Sequence, residues 1–210
     1  MTQIDFYLDF VSPYTYLAFE RLGEALDGIR CRIRYRPVLF AGLLKHHGQL
    51  GPAEIPGKRE WTYRQVLWLA NAAGVPMQLP TAHPFNPLHL LRLAIACDPQ
   101  GEPSREVCEN VFRHVWRSGA DATDPARLAM LAAELAPARD PSSDEVKLQL
   151  RAHTDAAISR GVFGVPTFDA DGRLFWGFDA LAMLRAQLLG DPALDAIWEA
   201  GARVGEGVRR

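Results

Sequence analysis

Apolar residues follow two rhythms along the chain, one of strands and one of helices. Residues 4–10 carry Ile4, Phe6, Tyr7, Leu8 and Phe10, a dense apolar run that predicts a mostly buried strand. Ser12-Pro13 follows. Serine is a favoured N-cap, and proline suits the first helical position, whose N–H has no intrahelical partner. Tyr14, Leu17, Ala18, Leu22 and Ala25 then recur at helical spacing up to Asp27-Gly28. From 29 to 35, Ile29, Cys31, Ile33 and Tyr35 alternate with Arg30, Arg32 and Arg34, the period of a half-buried strand. Strand, helix and strand together predict a βαβ unit.

Helical patterns take over after that. They cover 58–73, with Trp61, Gln65, Trp68, Leu69 and Ala72, and 87–97, with Leu88, Leu91 and Ile95. The cleanest stripe is Val107, Cys108, Val111, Phe112, Val115 and Trp116. Asp124-Pro125 opens another helix with Leu128, Leu131, Ala132 and Leu135 inward. Ser142-Ser143-Asp144-Glu145 matches a capping box with Ser142 at the cap, on a helix running to Arg160 and stopped by Gly161.

The strand rhythm then returns. Val165-Pro166-Thr167-Phe168 and residues 173–176 flank Asp169-Ala170-Asp171-Gly172, a hairpin signal. A helix with Leu181, Leu184 and Leu188 follows, then a short one opened by Asp191-Pro192, and 201–210 reads as frayed. The sum is an α/β fold with a large all-α insertion. Residues 1–41 and 160–210 form a discontinuous sheet domain, and 42–159 form the inserted helical domain.

Composition narrows the function classes. The 210 residues hold 23 Lys and Arg against 25 Asp and Glu, without the basic excess that phosphate contacts need, so no nucleic-acid partner is expected. No apolar run reaches the ~18 residues of a membrane span, and no basic-then-apolar leader opens the chain, so no membrane association is expected. Cys31, Cys97 and Cys108 are scattered, neither a disulfide framework nor a redox pair, which fits a cytoplasmic protein. The six histidines include one close pair, His46-His47, which reads as solvated, so no metal is expected. The Arg30, Arg32 and Arg34 row and the terminal Arg209 and Arg210 likewise read as solvated. Gly51 to Lys58 fails the P-loop spacing, and Arg59 stands where a magnesium-binding hydroxyl belongs.

Two places carry more than a structural reading. Ser12 ends the first strand and opens the first helix, at the carboxyl edge of the parallel strands, where ligands of open α/β sheets bind. A helix N-terminus there stabilises an anion such as a thiolate. The second place is Gly164-Val165-Pro166-Thr167-Phe168. Proline in a strand-like run marks an edge strand or a cis Val165–Pro166 bond that presents the Val165 backbone to an extended ligand.

Together these places resemble a thioredoxin-like group, that of 2-hydroxychromene-2-carboxylate isomerases, kappa-class glutathione transferases and DsbA-type oxidoreductases. Asp9-Phe10-Val11-Ser12-Pro13-Tyr14-Thr15-Tyr16 resembles the group's opening, with Ser12-Pro13-Tyr14-Thr15 in the slot that holds Cys-x-x-Cys in DsbA-type members. Gly164-Val165-Pro166-Thr167 resembles its cis-proline loop, and Trp176-Gly177-Phe178-Asp179 its Gly-x-Asp segment. Leu44-Lys45, Gly48-Gln49, Pro56-Gly57-Lys58 and Pro84-Phe85-Asn86-Pro87 resemble the inserted helical domain of the isomerase branch.

The resemblance implies glutathione as cofactor. Ser12 would be the catalytic hydroxyl that holds its sulfur as thiolate. Val165 and Pro166 would engage the cysteinyl part, and Gly177, Phe178, Asp179 and Ala180 the γ-glutamyl end. Lys45, Gln49, Phe85 and Asn86 would line a pocket for a small aromatic substrate. Ala180 stands where many members carry arginine, Gln49 where many carry asparagine, and Phe178 where a polar residue is common. The expected activity is glutathione-dependent isomerisation of 2-hydroxychromene-2-carboxylate, or of a related intermediate of aromatic hydrocarbon catabolism, in a cytoplasmic homodimer. The alternatives are a kappa-like transferase, a binding protein without turnover and, with no cysteine at Ser12 or Thr15, last of all a dithiol oxidoreductase.

Overall fold

A computed structural model describes residues 1–205. Four strands form one sheet in the order β2-β1-β3-β4. β1 (Thr2–Leu8) runs parallel to β2 (Cys31–Pro37), with Phe6 opposite Tyr35. β3 (Thr167–Ala170) pairs antiparallel to β1, Phe6 facing Phe168, and β4 (Arg173–Trp176) pairs antiparallel to β3. Asp171 and Gly172 join them with φ of 51° and 85°, the two left-handed residues of a type I′ hairpin turn, which matches strand twist.

α1 (Pro13–Ala25) connects β1 to β2. Six helices separate β2 from β3 among the described residues: α2 (Phe40–His46), α3 (Pro56–Ala72), α4 (Leu88–Ala96), α5 (Arg105–Trp116), α6 (Pro125–Leu135) and α7 (Asp144–Ser159). α8 (Leu181–Leu189) and α9 (Pro192–Ala202) close the chain. α9 carries residues 201 and 202, part of the segment expected to fray; residues 206–210, with Arg209 and Arg210, lie outside the described residues.

The larger of two buried clusters runs through the sheet and the helical block, and the smaller gathers Tyr7, Val38, Leu43, Ala157, Val162 and Val165. Phe6 stacks on Phe168 at 4.5 Å between ring centroids, while Phe112 of α5 meets Phe10 and Phe19 at 4.9 Å each. Cys108, Val111, Phe112, Val115 and Trp116 are all buried, so the stripe read from the sequence is the face that locks α5 against α1. Burial of this kind stabilises by about 1.5–3 kcal/mol per large apolar side chain.

Several local expectations are corrected. β1 ends at Leu8 rather than Phe10, because Asp9, Phe10 and Val11 form a turn. The cap of α7 is Ser143, whose Oγ accepts the Val146 N–H at 3.3 Å. Ser142 instead donates to Asp140, and Glu145 pairs with Arg139 rather than reaching back to a cap. Arg34 is not a solvated strand residue: Asp5 on the neighbouring strand takes its Nε and Nη2 at 2.5 and 2.6 Å. In α3, Trp61 and Trp68 stand 61% and 66% exposed while Thr62, Val66 and Ala70 face inward. The helix α2 had no periodicity long enough to be read from the sequence.

Candidate functional site

The residues around Ser12 are fixed from several directions. The Ser12 N–H donates to the Asp9 carbonyl at 3.1 Å, and Ser12 is extended, with φ −88° and ψ 117°. Its Oγ accepts the Thr15 N–H at 3.3 Å, so it caps α1 as the sequence predicts. Its only protein acceptor among the described residues is the Val165 carbonyl at 3.5 Å, the outer limit for a hydrogen bond. The hydroxyl proton is therefore loosely held, at a helix N-terminus that favours negative charge. Ser12 is 6% exposed.

Asp9 is fully buried, with Oδ1 accepting the Val11 N–H at 3.1 Å and Oδ2 the Phe40 N–H at 2.9 Å. Burial pushes its carboxyl up to about 7, against the pull of the backbone N–H groups that favour its charged form. The carbonyls of Phe10 and Val11 point the other way. Trp116 Nε1–H donates to Phe10 at 3.0 Å, and His83 Nε2 meets Val11 at 2.7 Å. Thr15 Oγ1 is buried without a partner among the described residues.

The proline loop adjoins this turn. Val165–Pro166 is a cis bond, and His83–Pro84 is a second cis bond that had no reading in the sequence. The Val165 N–H has no backbone acceptor among the described residues. The Pro166 carbonyl accepts the Gly177 N–H at 2.9 Å. Gly177 has φ 105°, which requires glycine, and a Cβ there would also push the Asp179 carboxylate aside. Phe178, Asp179 and Ala180 form a 3-10 turn packed against α1 and leading into α8. The exposed Asp179 carboxylate lies close enough to Tyr14 for its charge to add to the burial that raises the Tyr14 phenol. Ser12, Val165, Pro166 and the 177–180 turn thus converge where α1 and α8 begin.

The residues expected to line a substrate pocket are less tightly gathered. Phe85 is half-buried, with its ring 6.0 Å from that of His83, and so lies near the turn. Asn86 Oδ1 accepts the Leu88 N–H at 3.1 Å at the start of α4, and Asn86 lines a cavity of about 540 Å³ with Arg92 and Leu128. Lys45, at the end of α2, and Gln49 are exposed, and among the described residues no hydrogen bond or ion pair joins their side chains to Ser12 or the proline loop. Reading the sequence missed His83, Trp116 and Asp9 as determinants of the turn. Asp9 stands three residues before Ser12 in the same motif, but nothing in the local sequence connects positions 83 and 116 to position 12.

The cysteines contribute no reactive pair. Cys31, Cys97 and Cys108 are all free thiols, and burial raises the thiol pKa of each. No group of three or more His, Cys, Asp or Glu side chains converges for a metal among the described residues, and none of their helices is long and apolar enough to cross a membrane.

Comparison with known proteins identifies the family and fold. The rat protein "Glutathione S-transferase kappa 1" is 29% identical over 206 residues, covering 90% of this chain and 91% of its own. A Pseudomonas putida "2-hydroxychromene-2-carboxylate isomerase" is also 29% identical, over 193 residues, covering 88% and 93%. A solved 2-hydroxychromene-2-carboxylate isomerase superposes with a TM-score of 0.76 at 25% identity, covering 97% of this chain and 100% of that one. A family model described as a DSBA-like thioredoxin domain matches residues 3–189, and the chain belongs to that family, as a thioredoxin-like sheet with a helical insertion.

Proposed function

We propose that this protein is a glutathione-dependent isomerase that converts 2-hydroxychromene-2-carboxylate, or a related aromatic catabolite, to its open-chain benzylidenepyruvate. The observation that carries the reading is the loosely held Ser12 hydroxyl, set at the N-terminus of α1 beside the cis-proline loop. When bound, glutathione supplies a nucleophilic thiolate that adds reversibly to a conjugated substrate.

The chain's own residues fit that cofactor. Ser12 Oγ–H turns from the distant Val165 carbonyl and donates to the sulfur, favouring thiolate over thiol together with the α1 N-terminus. The unengaged Val165 N–H pairs with the cysteinyl backbone in this reading. The turn of Gly177, Phe178, Asp179 and Ala180 receives the γ-glutamyl end, with Asp179 facing its ammonium. Phe85 and Asn86 border the aromatic substrate, with Lys45 and Gln49 farther out along α2 and the loop after it. The protein acts in this reading as a cytoplasmic homodimer.

A kappa-like transferase is the second reading, favoured by the rat relative at the same identity as the isomerase. Incubation with glutathione and a panel of aromatic electrophiles, including 2-hydroxychromene-2-carboxylate, separates the two. An isomerase interconverts substrate and product with the free thiol fully recovered. Stoichiometric loss of thiol into a stable conjugate identifies a transferase, and no turnover with any panel member contradicts both.

A further inference from the structure

We infer that His83 is a positioning residue for Ser12, acting through the Val11 carbonyl; the inference rests on the catalytic role proposed for Ser12. His83 Nε2 lies 2.7 Å from Val11 O. A carbonyl oxygen only accepts, so Nε2 carries the proton and Nδ1 of the neutral ring is an acceptor. Tyr63 Oη lies 2.9 Å from Nδ1 and also 2.9 Å from the His83 carbonyl. Arg59 Nη2 also donates to that carbonyl at 3.1 Å, whose two lone pairs accommodate both donors. The Val11 contact sets the tautomer, and Tyr63 braces the ring from its far side, in the way an outer partner orients a histidine that ligates a metal.

The ring is also held by packing. It lies 5.5 Å from the Trp116 ring and 6.0 Å from Phe85, centroid to centroid. Burial first, and then the Arg59 charge, hold its pKa below the ordinary histidine value despite the opposing Val11 hydrogen bond. The neutral ring is favoured, in the tautomer that the Val11 carbonyl selects. Trp116 donates to Phe10 O beside it. Two consecutive carbonyls, those of the residues just before Ser12, are thus held by ring N–H donors from the helical block. Asp9 holds the N–H ends of the same two peptide planes, and the ring donors hold their carbonyl ends, which together fix the direction of the Ser12 Cα–Cβ bond.

The test uses the full-length protein in four forms: wild type, His83→Leu, His83→Gln and Tyr63→Phe. Leucine retains apolar bulk but loses both polar contacts, whereas glutamine restores a donor and an acceptor. Amide exchange at Ser12 and Thr15 reads the turn without any ligand. It should accelerate about tenfold in His83→Leu, the equivalent of one lost hydrogen bond, relative to amides in β1, and glutamine should restore most of the protection. With glutathione bound, the thiolate pKa should rise by about half a unit to one unit in His83→Leu. The kcat at neutral pH should fall while KM for the aromatic substrate changes little, with Tyr63→Phe intermediate.

Unchanged Ser12 and Thr15 exchange in a folded His83→Leu protein overturns the inference. So does a loss of melting temperature shared by the leucine and glutamine variants with no change in either readout. A wild type that shows no glutathione thiolate overturns the functional reading instead, while the exchange measurement still decides the role of His83.

Discussion

Thr15 is held in the first turn of α1 with a buried hydroxyl that meets no partner among the described residues. Leaving such a group unsatisfied costs about 1–3 kcal/mol. Thr15→Val keeps the shape and removes the orphan, so it should raise the melting temperature by a few degrees, read by calorimetry; a drop would mean that the hydroxyl has a partner in solution. Asp9 gives a pH dependence with a definite sign. Its carboxyl ionises near 3.9 in the unfolded chain and at about 7 in the folded one. Between these values the folded state holds a proton that the unfolded state has released. Stability contributed by this residue is therefore greatest below the window and falls through it as pH rises, by up to about 4 kcal/mol. Asp9→Asn abolishes that slope, and parallel stability curves for wild type and variant from pH 5 to 8 would contradict it. Ser12 was legible from its own neighbours, because strand end, cap and proline are adjacent in sequence. Asp9 was visible only as part of the motif, since the N–H of Phe40 that it accepts lies 31 residues away.

At the scale of elements, periodicity located the long helices and the half-buried β2, and a dense apolar run located β1, which is buried on both faces over Phe6, Tyr7 and Leu8. Periodicity failed where the burial is not one-sided or the element is short. The exposed Trp61 and Trp68 masked the inward face of α3, and the seven residues of α2 are too few to show a period. The cap of α7 was misplaced by one residue because Ser142 and Ser143 both suit a cap, and the choice was made by Asp140 capturing Ser142. Ser143→Ala should therefore cost about 1 kcal/mol and Ser142→Ala less, by chemical denaturation; equal losses would contradict the assignment. Gly177 is the most demanding backbone position near the site. Gly177→Ala meets both a positive φ and the Asp179 carboxylate. It should weaken glutathione binding by displacing that turn, measured by calorimetric titration, and unchanged affinity would remove the 177–180 segment from the site.

The whole molecule explains why the site is only partly readable from sequence. The sheet supplies Ser12, the cis-proline loop and the turn into α8, all within the segments that resemble the family. The helical block supplies the indole and imidazole N–H groups that hold the turn, and their alignment exists only after α5 and the 83–86 loop pack against α1. The expected homodimer belongs to the same scale, and light scattering should give twice the chain mass at working concentration; the mass of one chain would contradict it. The most direct measurement is ultraviolet titration of bound glutathione in wild type and Ser12→Ala. A free thiol titrates near 8.5, and a hydroxyl donating to a charged acceptor contributes about 1.5–3 kcal/mol, equivalent to one to two pKa units. The thiolate of the wild-type complex should therefore titrate well below that of Ser12→Ala, with turnover at neutral pH falling in parallel and binding largely retained through the backbone contacts. The same thiolate pKa and the same rate in both proteins would leave Ser12 as a helix cap and contradict its catalytic role.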